Sequence, residues 1–502
     1  MRIAFIKVNM MYSKGKDALK PLVFPIVEAL TPADWEIVFY DERIETLPDD
    51  IDADIIAFSV ETFAARHAYE LADRYRKKGV RSYVKEPENS EENGRVNGQL
   101  HGEYEEAGGG RMPRIVMGGF HASAMPEEIL EHADTVLVGD AEDTWPLYLR
   151  DVKNGCEKRR YDSDNKCPVA YVNNNAGCFA GKKYLKLGMI QASRGCRFNC
   201  DFCSIKSLYP SGVRQKDIED VVREIRDSHE RLLFFIDDNL FVNEKTVREL
   251  FEAVRPLKKR WACQISMDIA FNDELLKLMH DAGCIMVLIG FESLDERNLK
   301  IMHKSANIQV MHSGVNEKTA GRPEKDNIDD RRYKENELKY EAAINNIYKH
   351  GIMIYAMFVL GYDHDTAGSI ERTYEFAMRN NLAVANFNPL MILPGTELFK
   401  RMSAERQLRY EKWWLDPGYR YGDAMFYPRS MSCEELTEGC KRARYDFNSF
   451  RNIMKRLTGA GVNHRSLFNT VVFLLVNLIS RTEIHRKQGT ELGGNRTEKR
   501  YH

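Results

Sequence analysis

The stretch QASRGCRFNCDFCSIKSL (residues 191–208) constrains this chain more than any other, because it sets Cys196, Cys200 and Cys203 at the spacing C-x3-C-x2-C. Three thiolates on one short loop are a ligand set for an iron–sulfur cluster or for zinc, the sites that soft sulfur donors favour. The odd count separates the two. A cubane cluster has four irons, so three cysteines leave one iron open to a ligand from outside the protein. A structural zinc takes four protein ligands, and Ser204, Ile205 and Lys206 offer none. A disulfide framework fails on parity and on the lack of any secretory pattern.

The loop lies in a chain of 502 residues, long enough for two or three domains. Strand-like and helical patterns alternate along it in two series. In the first, RIAFIKV, WEIVFYD and DADIIAFSV read as strands, the last a near-continuous apolar run suited to a buried parallel sheet. Helices are expected over 22–30 and 64–78, and further strands at 114–117 and 135–138. Such alternation predicts a doubly wound α/β domain with ligands at the carboxyl ends of its strands. Those ends carry Ser59-Val60-Glu61-Thr62, Gly118-Gly119-Phe120-His121 and Gly139-Asp140-Ala141-Glu142. Paired glycines let backbone approach a large planar ligand, and hydroxyls can bond its polar tail.

The second series runs from 185 to about 394: LKLGMIQAS, LLFFIDDN, WACQISMDI, IMVLIGFES, MIYAMFVLGYD and VANFNPLMIL, with helices between. Its strand ends are polar. Asp237, Asp238 and Asn239 close the second strand, and Gln264, Ser266 and Asp268 alternate along the third and so face one side. Glu292 and Ser293 end the fourth, and Gly361 ends the fifth. Arg194 and Arg214 flank the cysteine loop and could each pair with a carboxylate.

C-x3-C-x2-C with Phe202 before its last cysteine, between a strand and a helix and followed by five more strands, resembles the radical S-adenosylmethionine superfamily. The first series resembles the cobalamin-binding domain that precedes many such cores, and the resemblance extends to about residue 400. It implies an α/β fold in four parts: a Rossmann-like cobalamin-binding domain at 1–150, a linker at 151–184, a partial (β/α)6 TIM-type barrel at 185–400, and a helical substrate-capping region at 401–502. In that family Cys196, Cys200 and Cys203 would hold a 4Fe-4S cluster whose open iron binds S-adenosylmethionine. Asp237, Asp238 and Asn239 would meet its amino group, Glu292 its ribose, Gly361 its adenine, and Gln264 would line the same site. Ser59, Thr62, Gly118, Gly119, Gly139 and Glu142 would face cobalamin. The chain has no D-x-H-x-x-G motif, which leaves the lower ligand of cobalt open.

The implied activity is reductive cleavage to a 5′-deoxyadenosyl radical, then cobalamin-dependent C-methylation of an unactivated carbon in a small-molecule or lipid-like substrate. A flavodoxin- or ferredoxin-type donor would supply electrons. The alternatives are a cobalamin-independent cyclase or oxidoreductase, and a non-catalytic iron–sulfur protein. Lys plus Arg number 73 against 75 Asp plus Glu, without the basic excess of a nucleic-acid binder. The first residues read as a strand rather than a signal peptide, and ten cysteines without one point to the reducing cytoplasm.

Polar, glycine-rich stretches at about 85–112 and 306–335 are expected as surface insertions. Cys156, Cys167 and Cys178, about eleven residues apart, could hold an auxiliary cluster, though single spaced cysteines are more often incidental. Cys263, Cys284, Cys433 and Cys440 read as buried apolar residues. The apolar run 470–480, TVVFLLVNLIS, is shorter than the ~20 residues that span a bilayer. It reads as a core helix or as an amphipathic helix in peripheral contact with a membrane or lipid.

Overall fold

The computed structural model describes residues 1–11, 14–15, 18–78, 112–210, 212–312 and 328–493. Both strand series form six-stranded sheets in which every neighbouring pair is parallel. The first comprises β1 (Arg2–Lys7), β2 (Glu36–Asp41), β3 (Ile55–Ser59), β4 (Arg114–Gly118), β5 (Thr135–Val138) and β6 (Arg160–Asp162), in the order β2-β1-β3-β4-β5-β6. The chain winds outward from β1 to β2 and then crosses back to β3. Their carboxyl ends diverge at that reversal, where open α/β sheets leave a ligand crevice. β6 falls within the stretch read from sequence as a linker. Three residues are too few to show a period, so nothing local marks it as a strand.

The second sheet comprises β7 (Gly188–Ile190), β10 (Leu232–Phe235), β11 (Arg260–Ile265), β12 (Cys284–Glu292), β13 (Met353–Leu360) and β14 (Val384–Pro389), each adding one place in chain order. A short antiparallel pair, β8 (Ser193–Arg194) and β9 (Arg214–Gln215), brackets the cysteine loop. Burial alternates along the later strands. Ala262, Gln264, Tyr355, Met357, Val359, Asn386 and Asn388 are half-buried while their strand neighbours are buried, so one face of the sheet opens onto a cavity. The third strand is shorter than the sequence reading. β11 stops at Ile265 and Met267–Ile269 form a single 3-10 turn, so Asp268 leaves the face it was expected to share with Gln264. The Ser266 hydroxyl donates to the Asp268 carboxylate, a local bond that competes with ladder pairing.

The expected insertion at 85–112 lies outside the described residues except for Met112. That at 306–335 narrows: helices Ser305–His312 and Ile328–Lys349 occupy its two ends, and 313–327 lie outside the described residues. Beyond β14 the chain stitches the two sheets together. Trp413 packs on Phe63 with ring centroids 4.7 Å apart, and Trp414 Nε1 donates to Glu128 at 2.9 Å. Helices Cys433–Phe447, Phe450–Gly459 and Leu467–Lys487 follow. The last is 21 residues long, longer than its apolar run, and is long and apolar enough to cross a membrane. It nonetheless buries Asn469, Val472, Phe473 and Asn477 against the second sheet's helices and turns.

Asp365 sits beyond β13 and is 2% exposed. Its carboxylate accepts from the Gly361 and Tyr362 N–H groups at 2.9 and 3.1 Å and from Asn298 Nδ2 at 2.8 Å. Burial outweighs these donors and pushes the group up to about 7. The folded state therefore binds this proton more tightly than the unfolded chain does. The stability Asp365 contributes is complete below about pH 4 and is lost as pH rises through about 7. Asp365→Asn should flatten that limb. Urea midpoints at pH 5 and pH 8 should show wild type losing on the order of 1 kcal/mol more than the variant; equal losses would assign the slope to other groups.

Candidate functional site

The cysteine loop is fixed at both ends. Gly195 N–H donates to Asp238 Oδ2 at 2.8 Å, and Cys203 precedes the short helix Ser204–Leu208. Asp201, inside the loop, accepts from Tyr362 Oη at 2.8 Å and from Arg401 at 2.9 Å, clamping the loop to the segments beyond β13 and β14. Cys196, Cys200 and Cys203 are free and half-buried. They share one space: burial pushes the Cys200 thiol up to about 12, with Cys196 and Cys203 adding to the rise and Lys304 opposing it. Among the described residues no three His, Cys, Asp or Glu side chains close at the spacing of a single metal ion. Three thiols on one loop, one ligand short of a structural zinc site, suit an iron–sulfur cluster with one iron open.

The polar strand ends divide into those that face this space and those bonded elsewhere. Glu292 has φ +59°, a left-handed backbone that a side chain other than glycine or asparagine rarely adopts, and its carboxylate holds Lys304 Nζ at 2.7 Å. Asp238 keeps a carboxylate beside the loop, raised by burial, and Gln264 Nε2 donates to Asp238 O at 3.0 Å. Asp237 is bonded inward, accepting from Ser193 Oγ at 2.6 Å and Ala192 N at 3.1 Å; burial pushes it up to about 6. Asn239 spans Ser266 Oγ and Phe241 N at 3.2 and 3.0 Å, which leaves it a turn-forming role. At Gly361 (φ +106°) a Cβ would lie 2.7 Å from Leu436 Cδ2, so the space that a side chain would need is filled by the helix Cys433–Phe447. Lys304 was missed from sequence, since it stands in no motif and is brought back to Glu292 only by the helix Glu296–Ile301 that follows β12.

The carboxyl ends of the two sheets face one another across a cleft of about 430 Å³. Ser59, Gly118, Gly119, Gly139 and Glu142 line it from the first sheet, with Gln191, Arg194, Tyr209 and Asp238 opposite. Gly119 (φ +104°) is required there, because a Cβ would lie 2.8 Å from Val60 O. Phe120 stands 47% exposed on the same wall, a flat apolar surface for a planar ligand. Thr62 does not reach the cleft. Its hydroxyl lies 3.3 Å from His121 Nδ1, inside a buried network in which His121 Nε2 meets Tyr69 Oη and Glu128 Oε1, each at 3.1 Å. His121 is thereby committed to the interior, and among the described residues no histidine lines the cleft.

Arg194 and Arg214 do find carboxylates, but those of the first sheet. Arg194 pairs with Asp140 at 3.1 Å and Glu142 at 2.8 Å, and Arg214 also binds Asp140. These four side chains form a cross-sheet ion cluster at one end of the cleft, and Glu142 serves it rather than standing free. Cys156, Cys167 and Cys178 are dispersed: Cys156 is exposed, Cys167 donates to Asp143, and Cys178 is buried beside Glu28. Cys263, Cys284, Cys433 and Cys440 are buried, as expected of apolar residues.

Residues 190–377 match the family model described as the radical SAM superfamily. The chain is 28% identical over 470 residues to the bacteriochlorophyllide d C-12(1)-methyltransferase of Chlorobaculum tepidum, covering 91% of this chain and 88% of that protein. To the bacteriochlorophyllide d C-8(2)-methyltransferase of the same organism it is 24% identical over 407 residues, 77% of each chain. Among solved structures, the cobalamin-dependent S-adenosylmethionine radical enzyme OxsB, with aqua-cobalamin and S-adenosylmethionine bound, matches with TM-score 0.60 at 13% identity, over 97% of this chain and 72% of that one. The radical S-adenosylmethionine methyltransferase TsrM of Kitasatospora setae matches with TM-score 0.56 at 13% identity, over 80% and 76%. At such identities the structural likeness speaks for the fold.

Proposed function

We propose that this chain, whose residues 190–377 match the radical S-adenosylmethionine superfamily, is a cobalamin-dependent member of it and that its reaction is methyl transfer to an unactivated carbon of a largely apolar small molecule. The observation that carries this reading is the cleft shared by the carboxyl ends of two parallel sheets, beside a three-cysteine loop. On this reading residues 1–150 form the cobalamin domain, 151–184 connect it, 185–400 form the partial (β/α)6 barrel, and 401–502 cover its opening.

When bound, a 4Fe-4S cluster, S-adenosylmethionine and cobalamin supply the electron, the radical precursor and the methyl carrier. The chain's own groups hold and orient them. Cys196, Cys200 and Cys203 would hold the cluster and leave one of its irons open. The Asp238 carboxylate accepts from a ligand ammonium, while Lys304, steadied by Glu292, offers a cation to a ligand carboxylate. Ser59, the glycines at 118, 119 and 139, and Phe120 give a low wall against which a large planar ring can lie. On the open face of the second sheet Leu288, Met357 and Val359 give an apolar lining, and Asn386 Nδ2 donates to Tyr355 Oη at 2.9 Å, a polar pair able to orient a substrate.

The two Chlorobaculum relatives are named for methylating bacteriochlorophyllide d, and a substrate of that kind, an apolar ring with polar edges, suits this face. Reduction by a flavodoxin- or ferredoxin-type donor in the cytoplasm completes the reading, and ten unpaired cysteines suit a reducing compartment. The test is anaerobic reconstitution with iron, sulfide and hydroxocobalamin, followed by metal counts and the visible spectrum. About four irons and one cobalt per chain are expected. Four irons without cobalt would overturn methyl transfer and leave a cobalt-free radical enzyme.

A further inference from the structure

The last long helix, Leu467–Lys487, has faces with different surroundings. Asn477 anchors the inner one: its Nδ2 donates to Ala383 O at 3.0 Å, and its Oδ1 accepts from Arg456 at 3.0 Å. A helix held by such bonds lies on the protein and does not span a bilayer. Outward, Leu467, Val471, Leu475 and Leu478, at i, i+4, i+8 and i+11, stand 82, 45, 53 and 42% exposed. Phe450 and Met454 of the adjoining helix Phe450–Gly459, also exposed, extend the stripe, and the Arg481 guanidinium over the Phe450 ring at 4.7 Å ties the helices together. Single exposed apolar side chains need no explanation, but a contiguous stripe marks a contact surface.

The charge around the stripe identifies what it contacts. Between Asp446 and Glu483 the chain carries no carboxylate, while Arg451, Lys455 and Arg465 are exposed. A second copy of this chain would bring the same cations against their counterparts, which opposes self-pairing. The complement is a surface with an apolar interior and an anionic rim, as a bilayer with acidic headgroups provides. We propose that this stripe docks the protein on an anionic membrane surface, with the helix lying in the interface plane. On the adjoining face Val472, Val476 and Ile479 line a cavity of about 480 Å³, walled also by Leu232, Met286 and Tyr355 and by the charged Lys7, Arg43, Glu61 and Arg486. The helix thus stands between the lipid and the open face of the second sheet. The consequence, which rests on the methyl-transfer reading above, is a substrate that partitions into membranes.

Flotation of the reconstituted full chain with vesicles of phosphatidylcholine alone, or of phosphatidylcholine with phosphatidylglycerol, tests the docking. Binding to the anionic vesicles should be about tenfold stronger and should weaken at high salt. Leu467→Gln with Leu475→Gln should abolish it, and Arg451→Gln with Lys455→Gln should remove the preference for anionic lipid. Iron and cobalt contents should stay at wild-type levels in both variants. Wild type that does not float, flotation unchanged by both variant pairs, or a dimer that the leucine variant dissociates would overturn the proposal. Wild type that floats without cobalt would keep the docking and overturn methyl transfer instead.

Discussion

Replacing Cys200 with alanine should empty the loop of iron and reduce 5′-deoxyadenosine formation on the order of a thousandfold or more, because the cluster carries the difficult chemistry and two cysteines cannot hold it. The expected signature is loss of the broad visible charge-transfer absorption together with the iron count. The fold should survive, since Cys200 is half-buried and its loop is held through Asp201 by Tyr362 and Arg401. Cys263→Ala is the matching control. Cys263 is 0% exposed within β11, where its sulfur fills core space; its loss should cost about 1 kcal/mol of stability and leave iron content unchanged. Full iron in Cys200→Ala, or lost iron in Cys263→Ala, would refute the assignment of the loop.

The second large effect is expected at Arg194. It pairs with Asp140 and Glu142 across the two sheets, its side chain 8% exposed against 4 and 7% for the carboxylates. Those carboxylates hold its charge well above the ordinary arginine value despite burial. Arg194→Met removes one partner and leaves two carboxylates buried with only Arg214 beside them. Breaking a buried ion pair in this way costs roughly 3 kcal/mol. The loss should appear in the denaturation midpoint and, because the cluster closes one end of the cleft, as at least about tenfold weaker cobalamin retention on gel filtration. Adding Glu142→Gln should restore part of the stability, since it removes a charge that the arginine no longer balances. A single variant as stable as wild type would show that Arg214 suffices and that Arg194 serves the ligand instead.

These cases show where reading residues in order succeeds. The cysteine loop is legible because its ligands lie within eight residues, so spacing alone constrains what they can bind. The strands of both sheets are legible because apolar runs and helical periods are local. Boundaries slipped where a side chain chose a competing bond, as at Ser266 and Asp268, or where a strand was too short to carry a pattern, as at 160–162. The apolar character of 467–487 was visible, but the exposure of Leu467 and Leu475 was not, because a helix that is apolar on several faces does not say which one is covered.

By itself the sequence determined the three-thiol loop, two parallel α/β series and the placement of polar groups at their strand ends, since each follows from neighbours along the chain. Only the tertiary structure decided which of those polar groups stand beside the cysteines. Asp237, Asn239, Thr62 and Glu142 are bonded within the protein, while Asp238 and the Glu292–Lys304 pair stay beside the cysteines. The reason is that a buried charge or hydroxyl must find a partner, and the nearest one in space is commonly far away in sequence: Glu142 meets Arg194 across 52 residues, and Thr62 meets His121 across 59.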